Sequence, residues 1–236
     1  MIKVICALMS VLGILSPFKQ VNTGVPVWAR FGKDDGVFAR VNTEEKVIAL
    51  TFDDGPHPSL TPKILNILDE YGVKATFFVV GENAEFYPQA LKKIALRGHE
   101  IGNHTFTHLA ESSTNCDKVK EEIIKTEDVI FKLTAKKTFL FRPPTGYCCD
   151  SAVKMTKDLG YKTVVWDIDT RDWAHTSPQK ILSEVRKYAQ NGSIILFHDF
   201  IGKDSPTPEA LRLVIPWLKS QGYSFLTVGE MMGLEN

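Results

Sequence analysis

The chain has 236 residues, 44% of them hydrophobic, enough for one large α/β domain or two small ones around a proper core. Lys plus Arg number 28 and Asp plus Glu number 28, which removes the electrostatic argument for a nucleic-acid partner or a strongly anionic one. The partner expected is uncharged or only locally charged.

At the N-terminus, Met1-Ile2-Lys3 places one positive charge before an apolar run from Val4 to Leu15, which Ser16-Pro17 ends. The run is too short to span a bilayer, so residues 1–18 read as an export signal. No small-x-small cleavage site is evident, which keeps an uncleaved membrane anchor as an alternative, and a buried N-terminal strand is the lesser one, since Met1 directly precedes the run. Residues 19–43, with Gly24, Pro26, Gly32, Asp34, Asp35 and Gly36, lack periodicity and read as a linker or an N-terminal wrap. The rest, 44–236, reads as one domain.

From there, strand-like runs alternate with helix-like segments. The runs are Val47 to Phe52, Ala75 to Val80, Glu100 to Gly102, Thr138 to Phe141, Thr163 to Trp166, Ser193 to Phe197 and Tyr223 to Thr227. The first helix has Thr61 as N-cap, Pro62 at its first position, Ile64, Leu65, Leu68 and Tyr71 on one face, and Gly72 at its end. The longest carries Val119, Ile123, Ile130 and Leu133 at helical spacing, and its charges read as a solvated face. Gln89 to Arg97, Ser151 to Leu159, Pro178 to Gln190 and Pro208 to Ser220 read similarly. Alternation implies parallel strands with right-handed crossovers, and continuous apolar runs imply strands covered on both faces. Seven such strands fit a distorted (β/α) barrel or, nearly as well, an open doubly wound sheet. In both, functional groups gather at the carboxyl ends of the strands.

Two carboxylates, Asp53 and Asp54, end the first run in Thr51-Phe52-Asp53-Asp54-Gly55-Pro56. Asp-Gly and Pro are ordinary turn formers, so this stretch alone says little. His104-Thr105-Phe106-Thr107-His108 then sets two imidazoles four residues apart, which a helical turn would point the same way. Alone they would be two exposed histidines. With a carboxylate from a neighbouring strand end they complete a three-ligand metal site with open positions, the pattern of a catalytic ion. One carboxylate then binds the cation while its neighbour stays free to take a proton, and the cation offsets their repulsion.

Three further strand ends carry polar groups. Phe141-Arg142-Pro143-Pro144-Thr145-Gly146 offers a guanidinium able to hold a carboxylate and a stiff turn able to present a backbone N–H, or else a surface turn with a solvated Arg. Trp166-Asp167-Ile168-Asp169-Thr170-Arg171-Asp172-Trp173 is denser in acids and indoles than a connection needs, unless the acids cap a helix and the indoles are core. Leu196-Phe197-His198-Asp199 ends an apolar strand with an imidazole that is either structural or, beside a metal site, a general acid supported by Asp172. Of the four cysteines, Cys6 lies in the signal-like run. Cys116 and the adjacent Cys148 and Cys149 read as ordinary thiols, since neighbours rarely bridge and no CxxC occurs.

In this order the five motifs resemble the polysaccharide deacetylases of the carbohydrate esterase family 4, the NodB homology domain, over roughly residues 44 to 232. The resemblance implies a distorted seven-stranded (β/α) barrel holding a divalent metal, usually zinc with cobalt(II) or another divalent ion as substitutes, through Asp54, His104 and His108. It implies Asp53 as general base, His198 as general acid, Arg142 orienting Asp53 and Asp172 tuning His198. Trp173 and Leu196 would form an acetyl-methyl pocket, the N–H of Thr145 would help stabilise an oxyanion, and Pro143 and Tyr147 would line the groove. One departure is Thr145, where many members carry Tyr; this bears on groove shape and substrate preference. The implied substrate is an N-acetylglucosamine-containing glycan, peptidoglycan or chitin-like, met by a monomer secreted or held at the cell surface outside the cytoplasmic membrane. Membrane contact would come only through an uncleaved N-terminal segment. An O-acetyl xylan esterase and a non-catalytic wall-glycan-binding protein are the alternatives.

Overall fold

The computed structural model describes residues 32–109, 116–147, 150–202 and 204–233. The signal or anchor expected at 1–18, the linker as far as residue 31, and Cys6, Cys148 and Cys149 lie outside the described residues. Nine strands join in one parallel sheet: β1 (Val37–Phe38), β2 (Val47–Asp53), β3 (Thr76–Val79), β4 (Glu100–Asn103), β5 (Leu140–Phe141), β6 (Lys162–Val164), β7 (Ile168–Asp169), β8 (Ser193–His198) and β9 (Ser224–Phe225). Their order is β1-β6-β5-β4-β3-β2-β8-β7, with β9 added to β2. All seven expected strands are present. The count of seven is too low by β1 and β7, which at two residues each are too short to show a period.

The helices are α1 (Leu60–Glu70), α2 (Gly81–Phe86), α3 (Pro88–Leu96), α4 (Cys116–Thr134), α5 (Asp150–Asp158), α6 (Pro178–Tyr188), α7 (Thr207–Ser220) and α8 (Val228–Met232). Only the two shortest, α2 and α8, have no counterpart in the sequence reading. For α8 a signal exists: Thr227 and Glu230 form a capping box, with the Thr227 hydroxyl accepting from the Glu230 N–H. Thr61 is not the N-cap of α1. Ser59 holds that position, and the Thr61 hydroxyl instead accepts the His57 N–H at 2.7 Å and donates to the Asp199 carboxylate.

Strand β2 is buried along its whole length, as its unbroken apolar run requires. Alternation sends Phe52 outward, where its ring stacks on Phe77 at 4.9 Å and on Phe197 at 5.8 Å beneath the helices. Each of these fully buried rings contributes roughly 1.5–3 kcal/mol by leaving water. The same alternation sends Thr51 and Asp53 inward, where both meet Arg142.

The barrel is distorted at one extended run. Its first part, β6, pairs with β5 and β1, and its second part, β7, pairs with β8. Between them the ladder breaks, and side chains fill the break. Arg142 donates from Nε to the Val164 carbonyl at 3.2 Å and from Nη2 to the Val165 carbonyl at 3.0 Å. The Asp167 carboxylate accepts from Ser193 Oγ at 2.8 Å and from the Ile194 N–H at 2.9 Å. Buried backbone groups that lose their ladder need such partners.

Candidate active site

Every motif singled out above stands at the carboxyl end of a strand, on one rim. Asp53 is the last residue of β2, and Asp54 turns the chain sharply with φ of 74°. That turn is pinned on three sides. Asn83 Nδ2 donates to the Asp54 carbonyl at 2.7 Å, Val80 N–H to the Gly55 carbonyl at 2.9 Å, and Gly55 N–H to Asp199 Oδ1 at 3.0 Å. A Cβ on Gly55 would stand 2.2 Å from the Asp199 oxygens, so only glycine fits there.

The two imidazoles come from a loop, not from the helical turn expected. Thr105 and His108 both have positive φ, at 65° and 54°, and residues 104–109 form no helix. Tertiary contacts shape it. Asn103 Oδ1 accepts the Thr105 N–H at 3.0 Å, and Glu122 on α4 accepts the N–H groups of Phe106 at 2.8 Å and Thr107 at 2.6 Å. Glu122 is therefore not part of a merely solvated face. The result sets the His104 and His108 rings 5.1 Å apart at 63°.

Asp54 Oδ1 lies 3.4 Å from His104 Nε2 and 3.2 Å from His108 Nε2, and the three ligand atoms lie within 4.8 Å of one another. In a tetrahedral site with bonds of about 2.0–2.1 Å, neighbouring ligand atoms stand about 3.3 Å apart. Two further observations fit a cation. Asp54 Oδ1 is buried and makes no hydrogen bond. His104 Nδ1 faces the Arg142 carbonyl at 2.7 Å, which can only accept, so Nδ1 carries a proton and Nε2 is the atom left for a metal. The donor set, two imidazoles and one carboxylate, is that of a divalent metal site with open positions.

Asp53 sits alongside with divided duties. Its Oδ1 accepts a hydrogen bond from Arg142 Nη1 at 2.7 Å, while Oδ2 faces His104 Nε2 at 3.8 Å. Arg142 is fully buried, its guanidinium 4.1 Å over the Phe78 ring, and Nη1 also donates to Thr51 Oγ1 at 2.8 Å. It is an internal strut, not a solvated surface group.

On the neighbouring strand, His198 pairs with Asp53 across the β2–β8 ladder. Its Nδ1 meets Asp172 Oδ1 at 2.7 Å, and Asp172 Oδ2 takes the His198 N–H at 2.8 Å and the Thr207 hydroxyl at 2.6 Å. Burial pushes the imidazole pKa down, but the hydrogen bond and charge of Asp172, with the charges of Asp54 and Asp53, overcome it and raise it to about 9. A raised histidine stabilises the fold fully below about 6.5, and that contribution fades as pH climbs through about 9.

Leu196 is buried on the same inward face of β8 as His198, and Thr170 closes over its carbonyl at 2.7 Å. Pro143 is buried, and Thr145, with φ of 63°, Tyr147 and Trp173 stand exposed on loops of the same rim. The sequence reading gave no role to Asp199. It is buried beneath the Asp54 turn, and burial raises its carboxyl to about 7 against the hydrogen bonds from Thr61 and Gly55. Its place directly after His198 was the available signal.

The sequence model of the polysaccharide deacetylase family matches residues 40–164. The chain is 42% identical over 194 residues to a peptidoglycan-N-acetylglucosamine deacetylase of Bacillus cereus, covering 81% of this chain and 91% of that protein. It is 36% identical over 195 residues to a peptidoglycan-N-acetylmuramic acid deacetylase of Bacillus subtilis, covering 81% and 73%. Among solved structures, a peptidoglycan N-acetylglucosamine deacetylase in complex with a naphthalenyl-substituted N-hydroxybenzamide has a TM-score of 0.83 at 37% identity, covering 86% of this chain and 97% of that one. Fold, motif order and matched length agree: the chain belongs to the polysaccharide deacetylase family.

Proposed function

We propose that this enzyme removes the acetyl group from N-acetylglucosamine units of peptidoglycan, releasing acetate and a free amine, with zinc as its ion. The observation that carries the reading is the convergence of Asp54, His104 and His108 beside the separately held carboxylate of Asp53. Near-tetrahedral spacing supports zinc, and cobalt(II) suits the same donors. The signal-like N-terminal run supports action outside the cytoplasmic membrane, and the balanced charge suits a neutral glycan.

A divalent cation held by these three residues supplies Lewis-acid polarisation of the acetyl carbonyl and makes water at the site more acidic. Asp53 accepts the proton of the attacking water on Oδ2, because Arg142 occupies Oδ1. Asp172 holds Nδ1–H of His198, so the proton on Nε2 is the one given to the departing amine, without which an amide cannot collapse to products. The exposed N–H-bearing turn at Thr145 borders the acetyl oxygen, and Leu196 and Trp173 flank its methyl group, with Pro143 and Tyr147 shaping the groove.

The decisive experiment incubates zinc-loaded protein with muropeptides, chitin oligomers and acetylated xylan, and follows by mass spectrometry the loss of one acetyl unit. Loss from the glucosamine of muropeptides is expected. Acetate from xylan alone would overturn the amide reading, and acetate from none of the three would overturn the enzyme. His108→Ala is expected to abolish both tight zinc binding and acetate release, measured by competition with a chromogenic chelator.

A second expectation concerns pH. The donor form of His198 exists below its pKa, so activity should fall as pH rises through that value. Asp172→Asn removes the main upward push on the imidazole, so the alkaline limb of the kcat/KM profile should move to lower pH. An unmoved limb would take the acid role away from His198.

A further inference from the structure

Asp53, Asp54, Asp172 and Asp199 bring their carboxylates together at this site, and the first three face groups that carry or share positive charge. Asp53 has the Arg142 guanidinium at 2.7 Å, Asp172 has His198 at 2.7 Å, and Asp54 faces the two imidazoles that would share a cation with it. Asp199 differs. Its oxygens accept the Gly55 N–H at 3.0 Å and the Thr61 hydroxyl, and among the described residues no cationic side chain pairs with it. It is nevertheless 1% exposed, and the charges of Asp54 and Asp53 act on it repulsively. A buried anion without a counter-ion costs stability. Its two donors do not require an acid: an asparagine could meet both, its oxygen taking the N–H and its nitrogen facing a hydroxyl that also accepts.

The chain sets this carboxylate beside the converging ligands. The Asp199 N–H donates to the Asp53 carbonyl at 3.0 Å, and Gly55, which its side chain holds, follows Asp54 directly. Asp199 therefore grips both sides of the residue that presents its carboxylate to the imidazoles. The missing side chain of Gly55 makes this approach possible, since a Cβ there would meet the Asp199 oxygens at 2.2 Å. A divalent cation at Asp54, His104 and His108 would supply the positive charge that Asp199 lacks.

We infer that Asp199 is a positioning residue for the ion: it braces the turn that aims Asp54, and its own charge, lacking a counter-ion in the protein, strengthens the hold on a divalent cation. The inference rests on the metal-dependent reading above. Its test is calorimetric titration with zinc, and thermal melting of the metal-free protein, for wild type, Asp199→Asn and Thr61→Val. Both are done at pH 8, above the value of about 7 to which burial raises the Asp199 carboxyl. Asparagine keeps the shape and an acceptor for Gly55 and removes the charge. Its zinc affinity should be about 10- to 100-fold lower, the range for losing a partner that supports a metal ligand. The metal-free Asp199→Asn protein should melt at or above the wild-type temperature, because a repelled buried anion has gone. A role in folding alone would do the opposite, lowering the melting temperature and leaving zinc affinity in place. Thr61→Val loosens the same turn but keeps the charge, so its zinc affinity should fall less than that of Asp199→Asn. An Asp199→Asn protein that binds zinc like wild type, melts lower without metal or does not fold would overturn the inference. An equal loss of zinc in Thr61→Val would also overturn it, by reducing Asp199 to a brace. If wild type itself binds no zinc, the metal-dependent reading falls and takes the inference with it; if only the variants disagree, that reading stands.

Discussion

Arg142→Met is expected to lower folding stability by about 3–5 kcal/mol, the cost of leaving one member of a buried ion pair alone. In a chain of this size that corresponds to a drop in melting temperature of roughly 6–20 °C. Methionine keeps an apolar stem over the Phe78 ring, so little packing is lost with the charge. The polar consequences are larger. Asp53, only 2% exposed, would lose its counter-ion, and the carbonyls of Val164 and Val165 would lose their donors where the sheet is broken. Without the guanidinium, no donor fixes Oδ1, and the Asp53 carboxylate loses the hold that leaves Oδ2 turned toward the His104 side. Arg142→Lys retains a charge but not the fork that reaches a carboxylate, a hydroxyl and two carbonyls at once, so an intermediate loss is expected. Urea unfolding of the three proteins checks this. A Met variant within about 1 kcal/mol of wild type would show that the strut is dispensable.

The parts legible in the sequence are those that depend on chain-local periodicity or on chemical type. β2 reads as a buried strand because both its faces are covered, and α4 reads as a long amphipathic helix because only one of its faces is. The pairing of two imidazoles with a strand-end carboxylate is legible because few other side chains hold a divalent ion. What escapes is set by residues distant in sequence. The loop from His104 to His108 has helical spacing, yet Asn103 and Glu122 bind its N–H groups and force two left-handed residues. Thr61 has the chemistry of an N-cap, and Asp199, far along the chain, takes its hydroxyl instead. That Asp54, not Asp53, meets both imidazoles follows from the turn at φ of 74°, which Asn83, Val80 and Asp199 hold in place; the spacing of the two acids does not contain it. The motif order, through its resemblance to a family, supplied that assignment where local physics was silent.

The same division between the two acids makes Asp53→Asn and Asp54→Asn a discriminating pair. Asp53→Asn should reduce kcat by about 10²- to 10⁴-fold, the range for loss of a positioned proton acceptor. The amide oxygen can still accept from Arg142 Nη1, so the strut keeps a partner, but the amide nitrogen that replaces Oδ2 has no lone pair for a proton. Zinc affinity should change little, since no Asp53 oxygen belongs to the converging set. Asp54→Asn should do the reverse at the first step: it weakens zinc binding, and turnover falls because the site is empty, so part of the activity should return at high zinc concentration. Calorimetric titration with zinc, alongside acetate release at rising zinc, separates the two. An Asp53→Asn protein that keeps more than a tenth of wild-type turnover, or that loses zinc as completely as Asp54→Asn, would mean that the carboxylate held by Arg142 is not the proton acceptor, and the roles of the adjacent acids would have to be reassigned.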